Sequence, residues 1–404
     1  MQETKGSGYG MNIALEAQLL LGKERTGIAW NAHNLILELA KDPENKCTLQ
    51  YFKSRRAALD TDALKEYKKA GCHVECCRWF CYSLYKLLWL WLPVPYRLFF
   101  HTKPDVTQFF NFAVPPGVRG KRVTFIHDMA YKTCPQTVDK KTRIWLELCM
   151  RTSCRHADHI VTVSTFSKKE IVRLLHIPEG KITVIPNAVD HTVYHMDYSK
   201  DQLRMARSRY GIREDYFLYL GTIEPRKNLE RLLDAYARLC REKPDAPQLV
   251  LAGRRGWLCD GIYEKARSLH LGNKILFTGY VRQQDSPMLM CGAAAFVFPS
   301  LYEGFGMPPL EAMACGTPVI TSNTTSLPEV AGDAAVLVNP KSRSEIYRAM
   351  KQMLEDSSVT DRCRKRGTAR AKQYTWEKSA KMLSDLYRKL ETGLENKYET
   401  RKCN

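Results

Sequence analysis

The sequence predicts an α/β protein made of two facing, doubly wound parallel-sheet domains of the Rossmann-like type, with a cleft between them. Short apolar runs alternate with helical patterns, which is the rhythm of strands joined by crossover helices. The rhythm stops in the polar, charged segment 187–211 and then starts again. We therefore expect the connection between two domains in that segment.

Eleven strands are predicted from apolar runs bounded by turn residues. In the first domain they cover residues 12–15, 49–52, 106–109, 123–127, 160–163 and 182–185. In the second they cover 217–220, 248–252, 275–278, 295–299 and 319–321. Ligands of such sheets collect at the carboxyl ends of the strands, which in the second domain are Gly221-Thr222, Gly253-Arg254, Gly279-Tyr280 and Pro299-Ser300.

The 404 residues suffice for more than one hydrophobic core. We assign residues 1–195 to the first domain and 196–374 to the second. Residues 375–404 are assigned to a C-terminal helix that packs back on the first domain. That helix is expected from the amphipathic stretch 376–390, with a frayed tail after it.

The net charge limits the kinds of partner, and the cysteine pattern indicates the cellular compartment. Lys and Arg number 62 against 43 Asp and Glu, a formal charge of +19 that favours anionic partners. Nucleotides, lipid phosphates and an anionic membrane surface fit, whereas basic patches interleaved with aromatic residues, typical of nucleic-acid binders, are missing. The fourteen scattered cysteines contain no CxxC pair, and residues 1–10 contain no apolar leader, so a cytoplasmic protein is predicted.

The segment 80–100 is as long as a membrane span but is interrupted by Lys86, Pro93, Pro95 and Arg97. Two interpretations remain open. The favoured one is a buried helix that ends at Leu92 before a proline-marked turn. The other is an interfacial helix on the inner face of the membrane.

The segment 299–320 is the most informative. A strand runs into a glycine-broken loop and then into a helix opened by two prolines. Gly304 and Gly306 let backbone approach a ligand, and free amides near 307–310 would meet an anion. Glu303 and Glu311 can then hold hydroxyl groups of one ligand; a capping carboxylate is the plainer interpretation of Glu311.

A second cluster follows the first strand of the second domain, in the segment 221–229. Arg226 and Lys227 stand just before a helix that Asn228 is predicted to cap, where a diphosphate would meet two cations and a helix N-terminus. They would neutralise a departing nucleoside diphosphate without a metal ion. Ordinary solvated charge is the alternative.

These motifs resemble, in order and along nearly the whole chain, the retaining glycosyltransferase family 4 of the GT-B fold. The stretches that carry the resemblance are TGIAWN, FIHDMAY, VSTFSKKEI, VIPNAVD, GTIEPRKN, LAGRRG, FTGYV, PSLYEGFGMPPLEAMACGTPVI and SLPEVAGDAA. The family resemblance implies that the first domain binds the acceptor and the second the nucleotide sugar. Around GTIEPRKNLERLL and SLPEVAGDAA the chain is similar to bacterial polysaccharide-assembly mannosyltransferases. This similarity implies GDP-mannose as the donor, with UDP-glucose second.

The resemblance implies roles for individual residues. Glu303 would contact the transferred sugar, Glu311 the ribose, and Arg226 with Lys227 the diphosphate, while His127 would lie against the sugar near the reacting carbon. His127, Glu303, Arg226 and Lys227 form the predicted catalytic set. The predicted donor-binding set is Gly27, Thr222, Arg226, Lys227, Gly253, Tyr280, Glu303, Gly304, Phe305, Gly306, Met307 and Glu311.

Two departures from the family pattern concern the phosphate contacts. Gly27-Ile28-Ala29 stands where members often have G-x-G, and Thr222 stands where some carry an arginine. Ser164 and Asn187 are weaker cleft candidates, since each is equally well explained as a turn former. Glu329, in the loop SLPEVAGD, is a further candidate.

The implied activity is transfer of a hexose, mannose favoured, from a nucleoside diphosphate sugar to a glycan or lipid-linked acceptor in cell-surface polysaccharide synthesis. No metal ion and no bound cofactor is expected. The Asp60-Thr61-Asp62 triplet is interpreted as a helix N-cap and not as a metal site. A UDP-glucose-dependent glucosyltransferase and a sugar-nucleotide epimerase of the same fold remain alternatives, with a non-enzymatic nucleic-acid binder less favoured.

Overall fold

Two parallel sheets form the frame of the protein, which confirms the predicted fold class. The computed structural model describes residues 10–21, 26–53, 61–88, 92 and 94–393, without the side chains of 61–63 and 87. Consecutive strands of each sheet are parallel and are joined by crossovers that contain a helix, except β4 and β5, which a loop joins.

The first sheet has seven strands in the order β3-β2-β1-β4-β5-β6-β7. They are β1 Met11–Glu16, β2 Asn45–Phe52, β3 His73–Cys77, β4 Val106–Phe109, β5 Lys121–Ile126, β6 His159–Thr162 and β7 Ile182–Val184. Its helices are α1 Gly27–Lys41, α2 Thr61–Lys69, α3 Tyr82–Leu88, α4 Ala130–Thr133, α5 Lys140–His156 and α6 Thr165–Leu175.

The second sheet has six strands in the order β10-β9-β8-β11-β12-β13. They are β8 Tyr216–Leu220, β9 Gln248–Ala252, β10 Ile275–Gly279, β11 Ala295–Phe298, β12 Val319–Ser322 and β13 Val336–Val338. The remaining helices are α7 Lys200–Arg209, α8 Leu229–Glu242, α9 Asp260–Ser268, α10 Ser286–Cys291, α11 Met307–Ala314, α12 Leu327–Ala331, α13 Arg343–Glu355, α14 Ser357–Ala371 and α15 Trp376–Thr392.

Central strands are apolar on both faces because helices cover both sides of each sheet. The side chains of Phe217, Leu218 and Tyr219 in β8 are fully buried, for example. Such runs were identifiable in the sequence. The edge strands β3 and β13 were not predicted, because an edge strand has one neighbour and needs less apolar sequence.

The connection between the sheets is partly helical, which corrects the expectation of an irregular segment at 187–211. Helix α7 occupies ten of those residues and buries only Ala206 among them. It lacks an apolar period because it makes little core. A capping box at its start, in which Ser199 and Gln202 bond each other's backbone amides, compensates for the missing apolar face.

Helix α15 follows the second domain in the chain but packs on α1 of the first. The Tyr387 hydroxyl donates to Gln108 Oε1 at 2.8 Å, and the Ser379 hydroxyl donates to the carbonyl of Pro186 at 2.7 Å. The chain therefore crosses between the domains twice.

The segment 80–100 contains α3, which is described from Tyr82 to Leu88. Residues 89–91 lie outside the described residues, so the predicted helix end at Leu92 stays a prediction. Tyr85 is buried on its inner side, whereas Leu84 on its outer side is 43% exposed. No helix within the described ranges is both long and apolar enough to cross a bilayer. Asp60 of the D-x-D triplet lies outside the described residues, so the predicted cap of α2 stays a prediction.

Candidate functional site between the two sheets

The loop after β11 enters α11 through Gly306, whose φ of +116° lies in the region that favours glycine. The predicted row of free amides at 307–310 is wrong. Pro308 and Pro309 carry no amide hydrogen, and the Leu310 amide bonds the Gly306 carbonyl at 3.4 Å. Of these four residues only Met307 keeps an available amide, so side-chain cations carry more of the anion binding than predicted.

Glu303 is the centre of a buried charge cluster. Its carboxylate accepts from Lys227 Nζ at 2.6 Å, from Arg226 Nη1 at 3.0 Å and from the Ser300 hydroxyl at 2.7 Å. Arg226 also bonds the buried Glu224 through Nη2 at 2.8 Å. Two cations and two carboxylates thus balance one another in the unliganded site.

The cations are placed by a short 3₁₀ turn, Pro225–Lys227, which directly follows β8 and a bend. Asn228 ends the turn at φ 61° and stands at the N-cap position of α8, but its side chain makes no cap bond, contrary to the prediction. Its Nδ2 instead donates to the carbonyls of Pro299 at 2.9 Å and Pro340 at 2.7 Å. Asn228 therefore ties the turn to the loop that carries Glu303.

Burial and the paired charges oppose each other in this cluster. Burial alone would raise the pKa of Glu303, but the Arg226 and Lys227 cations bring that pKa down to about 2. Burial and the neighbouring Arg226 lower the pKa of Lys227. The pKa of Arg226 is raised, because the Glu303 and Glu224 carboxylates outweigh its burial. Glu303 is therefore a permanent anion.

Glu311 lies on α11, outside this cluster. Burial raises its pKa to about 7, partly offset by a hydrogen bond from the Tyr194 hydroxyl. Tyr194 belongs to the connection between the domains, and its hydroxyl also lies 3.2 Å from that of Ser286. The two glutamates of the motif thus differ in charge state: one is held ionised and the other titrates near neutrality.

His127 follows β5 at the edge of the first sheet that faces the second domain. Its ring stacks on Phe125 at 5.4 Å between centroids, and its Nε2 lies 2.9 Å from the Phe110 carbonyl oxygen. Burial lowers its pKa, which favours the neutral ring. Because a carbonyl only accepts, Nε2 carries the hydrogen and Nδ1 is left as an acceptor.

The Glu303 loop is held directly against the first domain. The Ser164 hydroxyl donates to the Gly304 carbonyl at 2.6 Å, and the Met129 amide donates to the Tyr302 hydroxyl at 3.1 Å. A side chain at position 304 would meet the His127 backbone. These contacts bring His127 and Glu303 to the same end of the cleft.

Glu329 bridges the domains at a second point. Its carboxylate accepts from the amides of Thr165 at 2.9 Å and Phe166 at 3.2 Å, and so caps α6 of the first domain from the second. Asn187, in contrast, stays within the first domain, where its Oδ1 accepts from Asn31 of α1 at 2.6 Å. Of the weaker candidates, Ser164 and Glu329 thus join the domains.

The other predicted donor residues occupy three kinds of position. Gly27 is the first residue of α1 and has open space around it, whereas Gly253 at the end of β9 has φ +143° and packs against Gly221. Tyr280 is 53% exposed. The ring of Phe305 is buried and packs against Tyr374 at 5.8 Å, so it supports the loop from behind.

Sequence reasoning missed three side chains that organise the site, namely Glu224, Tyr302 and Tyr194. Glu224 sits two positions before Arg226 in the same motif, a spacing that signals an ion pair in hindsight. Thr222 lies beside it, with its carbonyl bonded by the Tyr219 hydroxyl at 2.8 Å. Tyr194 gave no signal because it comes from the polar connection.

In the described part of the chain, no group of three or more His, Cys, Asp or Glu residues is arranged to hold a metal ion. The charges that could meet an anionic ligand are Arg226 and Lys227.

Family models match both halves of the chain. Residues 26–193 match the model described as Glycosyltransferase Family 4, and residues 206–370 match Glycosyl transferases group 1. The chain is 37% identical over 281 residues to the O-antigen chain mannosyltransferase B of Escherichia coli, an alignment that covers 69% of this chain and 73% of that protein. It is 33% identical over 236 residues to the E. coli serotype-specific mannosyltransferase WbdA, covering 58% of this chain and 29% of that longer protein.

Solved structures share the fold at low identity. Sucrose-phosphate synthase from Thermosynechococcus elongatus superposes with a TM-score of 0.71 and 19% identity, covering 95% of this chain and 100% of that one. The Anabaena protein HepE in complex with UDP and glucose gives a TM-score of 0.68 and 18% identity, with coverage of 94% and 99%. These likenesses concern the architecture.

Proposed function

The chain belongs to glycosyltransferase family 4 and is a hexosyltransferase with two facing Rossmann-like domains, and we propose that it transfers mannose from a nucleoside diphosphate sugar. The acceptor that we propose is a glycan or a lipid-linked molecule in cell-surface polysaccharide synthesis. The O-antigen mannosyltransferases among its relatives support GDP-mannose as the donor, with UDP-glucose second.

The observation that carries the proposal is the buried cation pair beside Glu303. Arg226 and Lys227 are both largely buried, and their charges are paired with the carboxylates of Glu224 and Glu303. A bound diphosphate would replace those carboxylates as the anionic partner of the two cations. Glu303 is then released toward the hydroxyl groups of the sugar, while the cations remain paired.

The reaction we propose breaks the bond between the anomeric carbon and the diphosphate oxygen and forms a bond from that carbon to an acceptor hydroxyl oxygen. The hydroxyl proton passes to the departing phosphate oxygen, so attack occurs on the leaving-group face and the anomeric configuration is retained. Arg226 and Lys227 stabilise the developing negative charge without a metal ion. Their fixed position supplies the catalysis expected of preorganised charges.

His127 and Glu311 complete the proposed donor site. With its Nε2 hydrogen held by the Phe110 carbonyl, His127 presents Nδ1 as an acceptor. Glu311 would receive the ribose hydroxyls in place of the Tyr194 hydroxyl.

An anionic membrane surface is the second partner we propose, reached from the cytoplasmic side. Several apolar side chains of the first domain are exposed, and we call four of them the α3–α5 face: Trp79, just before α3, 69%, Leu84 43%, Ile144 56% and Leu148 60%. Helices α3 and α5 are neighbours, since Lys86 Nζ lies 4.2 Å from the Trp145 ring centroid. Exposed Lys140, Lys141, Arg151 and Arg155 on α5 add the charge that anionic lipids attract.

The sugar-nucleotide epimerase is the enzymatic alternative of the same fold. It would turn over its nucleotide sugar without any acceptor, whereas the transferase releases nucleotide faster when an acceptor is added. Retention is tested separately, because an inverted anomeric product by NMR would contradict the proposed attack from the leaving-group face.

The experiment that tests the donor site is a thermal-stabilisation screen with GDP, UDP, ADP and their sugars, with and without EDTA. Stabilisation by one base that persists in EDTA and is lost in Arg226→Ala and Glu311→Ala supports the proposal. If no nucleotide stabilises the wild-type chain, the proposed donor site is wrong.

A further inference from the structure

A narrow cavity lies in the first domain, beneath α3 and away from the charge cluster. It holds about 420 Å³ of empty space, part of it continuous with solvent, but only a group about the size of a water molecule fits between its walls. The walls include the rings of Phe52, Tyr85 and Phe109. Polar groups from Glu16 and Tyr96 interrupt this aromatic lining.

The polar groups are the unusual part of the cavity. The Tyr96 side chain is 4% exposed, and its hydroxyl has no hydrogen-bond partner among the residues that the structure describes. Glu16 is 8% exposed, and one of its oxygens accepts from the Gln18 amide at 3.0 Å. Burial raises the pKa of Glu16 to about 7, and burial lowers the pKa of Lys86, which also lines the space. Leaving a buried hydroxyl unpaired is unfavourable, and a ligand that bonds it would recover that cost.

The strand order places this cavity next to the cleft. Glu16 ends β1 and Phe109 ends β4, and β4 pairs directly with β5, after which His127 follows. Asn111 lines the cavity, and its neighbour Phe110 bonds the His127 ring through its carbonyl. The cavity therefore lies at the carboxyl ends of β1 and β4, and β4 is the direct neighbour of the strand that leads to His127.

We infer that this cavity is a recognition site for one hydroxyl group of the acceptor sugar, whose ring lies at the aromatic mouth. Aromatic walls suit the apolar face of a pyranose, and a carboxylate with a phenol hydroxyl suits a group that both donates and accepts hydrogen bonds. The inference rests on the proposed transferase function and adds the acceptor side of it. Tyr96 and Glu16 are thereby assigned to acceptor specificity.

The chain offers a matched control. Tyr131 is also a buried tyrosine whose hydroxyl has no partner, but it does not line the cavity. Tyr96→Phe and Tyr131→Phe remove the same atom from equivalent burial. If both hydroxyls have only structural consequences, the two variants behave alike.

The experiment uses ligand-observed saturation-transfer NMR on the wild-type chain with the methyl glycosides of mannose, glucose, galactose and N-acetylglucosamine. We expect saturation transfer to at least one glycoside, a loss of about tenfold in its affinity in Tyr96→Phe and Glu16→Gln, and no loss in Tyr131→Phe. A chain that shows no transfer to any of the four, or a signal retained in Tyr96→Phe, would overturn the inference.

Nucleotide stabilisation, measured on the same variants, separates this outcome from the proposed function. It depends on the second domain and should be equal in all of them. Loss of glycoside binding with intact nucleotide binding supports the acceptor cavity. Absence of both in the wild-type chain means that the transferase proposal itself has failed.

Discussion

The carbonyl oxygen of His127 occupies the space that a Cβ atom on residue 304 would need. Because the clash would be with backbone and the Cβ of Asp128 would also lie at 2.8 Å, neither side can move away cheaply. The absence of a side chain at Gly304 is what lets the Glu303 loop touch the first domain.

Gly304→Ala should therefore push the domains apart. We expect kcat/KM to fall about 100-fold or more, since the proposed reacting groups lie on opposite domains. Small-angle scattering should show a larger radius of gyration. Gly261→Ala is the control, because its Cβ would meet only the end of the Glu230 side chain at 3.3 Å. Full activity in Gly304→Ala would contradict this account of the contact.

Glu303→Gln should destabilise the unliganded protein by about 3 kcal/mol, because two buried cations lose an anionic partner. A nucleoside diphosphate supplies the missing negative charge, so the thermal stabilisation by GDP or UDP should be larger in the variant than in the wild type. Asp158→Asn removes a partly buried carboxylate that pairs with Arg122 at the start of β5 in the first domain, and it should leave nucleotide stabilisation unchanged. If GDP or UDP stabilised Glu303→Gln only as much as the wild type, a diphosphate would not replace Glu303 as the partner of Arg226 and Lys227.

The raised pKa of Glu311 predicts a pH-dependent stability. A carboxyl group with a folded-state pKa of about 7 and an ordinary value of 4.5 is neutral in both states at low pH, and the folded state loses stability as pH rises between these values. The stability of Glu311→Gln relative to the wild type should therefore increase as the pH rises from 4.5 to 7, by up to about 3 kcal/mol in the free energy of unfolding. Above pH 7 the difference should stay constant. Urea unfolding at several pH values measures the difference.

Tyr194→Phe gives an internal check on that result. Its hydroxyl favours the ionised form of Glu311, so its removal should extend the loss of stability to higher pH. A Glu311→Gln difference that is constant from pH 4.5 to 8 would show that this carboxyl titrates normally.

The α3–α5 face predicts membrane binding. Ile144→Glu with Leu148→Glu should reduce co-sedimentation with phosphatidylglycerol vesicles at least tenfold, because charge replaces apolar surface next to lipid. Met205→Glu, at a residue that is 62% exposed on α7 of the connection, is the matched control and should bind as the wild type does. If the double variant still bound the vesicles, or if the wild type bound phosphatidylcholine vesicles equally well, the α3–α5 face would not be a surface for anionic membranes.

The fold class and the positions of the central strands could be predicted from the sequence, because buried parallel strands consist of continuous apolar runs. The sequence did not predict β3, β13 or α7, whose stability comes from edge pairing and capping and not from apolar periodicity. At the site it located Glu303, Arg226 and Lys227 but not their mutual pairing. Contacts across the cleft, such as Ser164 with Gly304, depend on how two domains meet, which local sequence does not encode.

The return of α15 to the first domain has a consequence for protein engineering. Its hydroxyl bonds to Gln108 and Pro186 and its packing on α1 mean that neither domain is one continuous stretch of polypeptide. A chimera with a relative that exchanges everything after residue 199 would place a foreign terminal helix on the native α1. Donor-domain grafts in this scaffold should therefore have two crossover points, the second just before Trp376, so that each terminal helix travels with the α1 it evolved against.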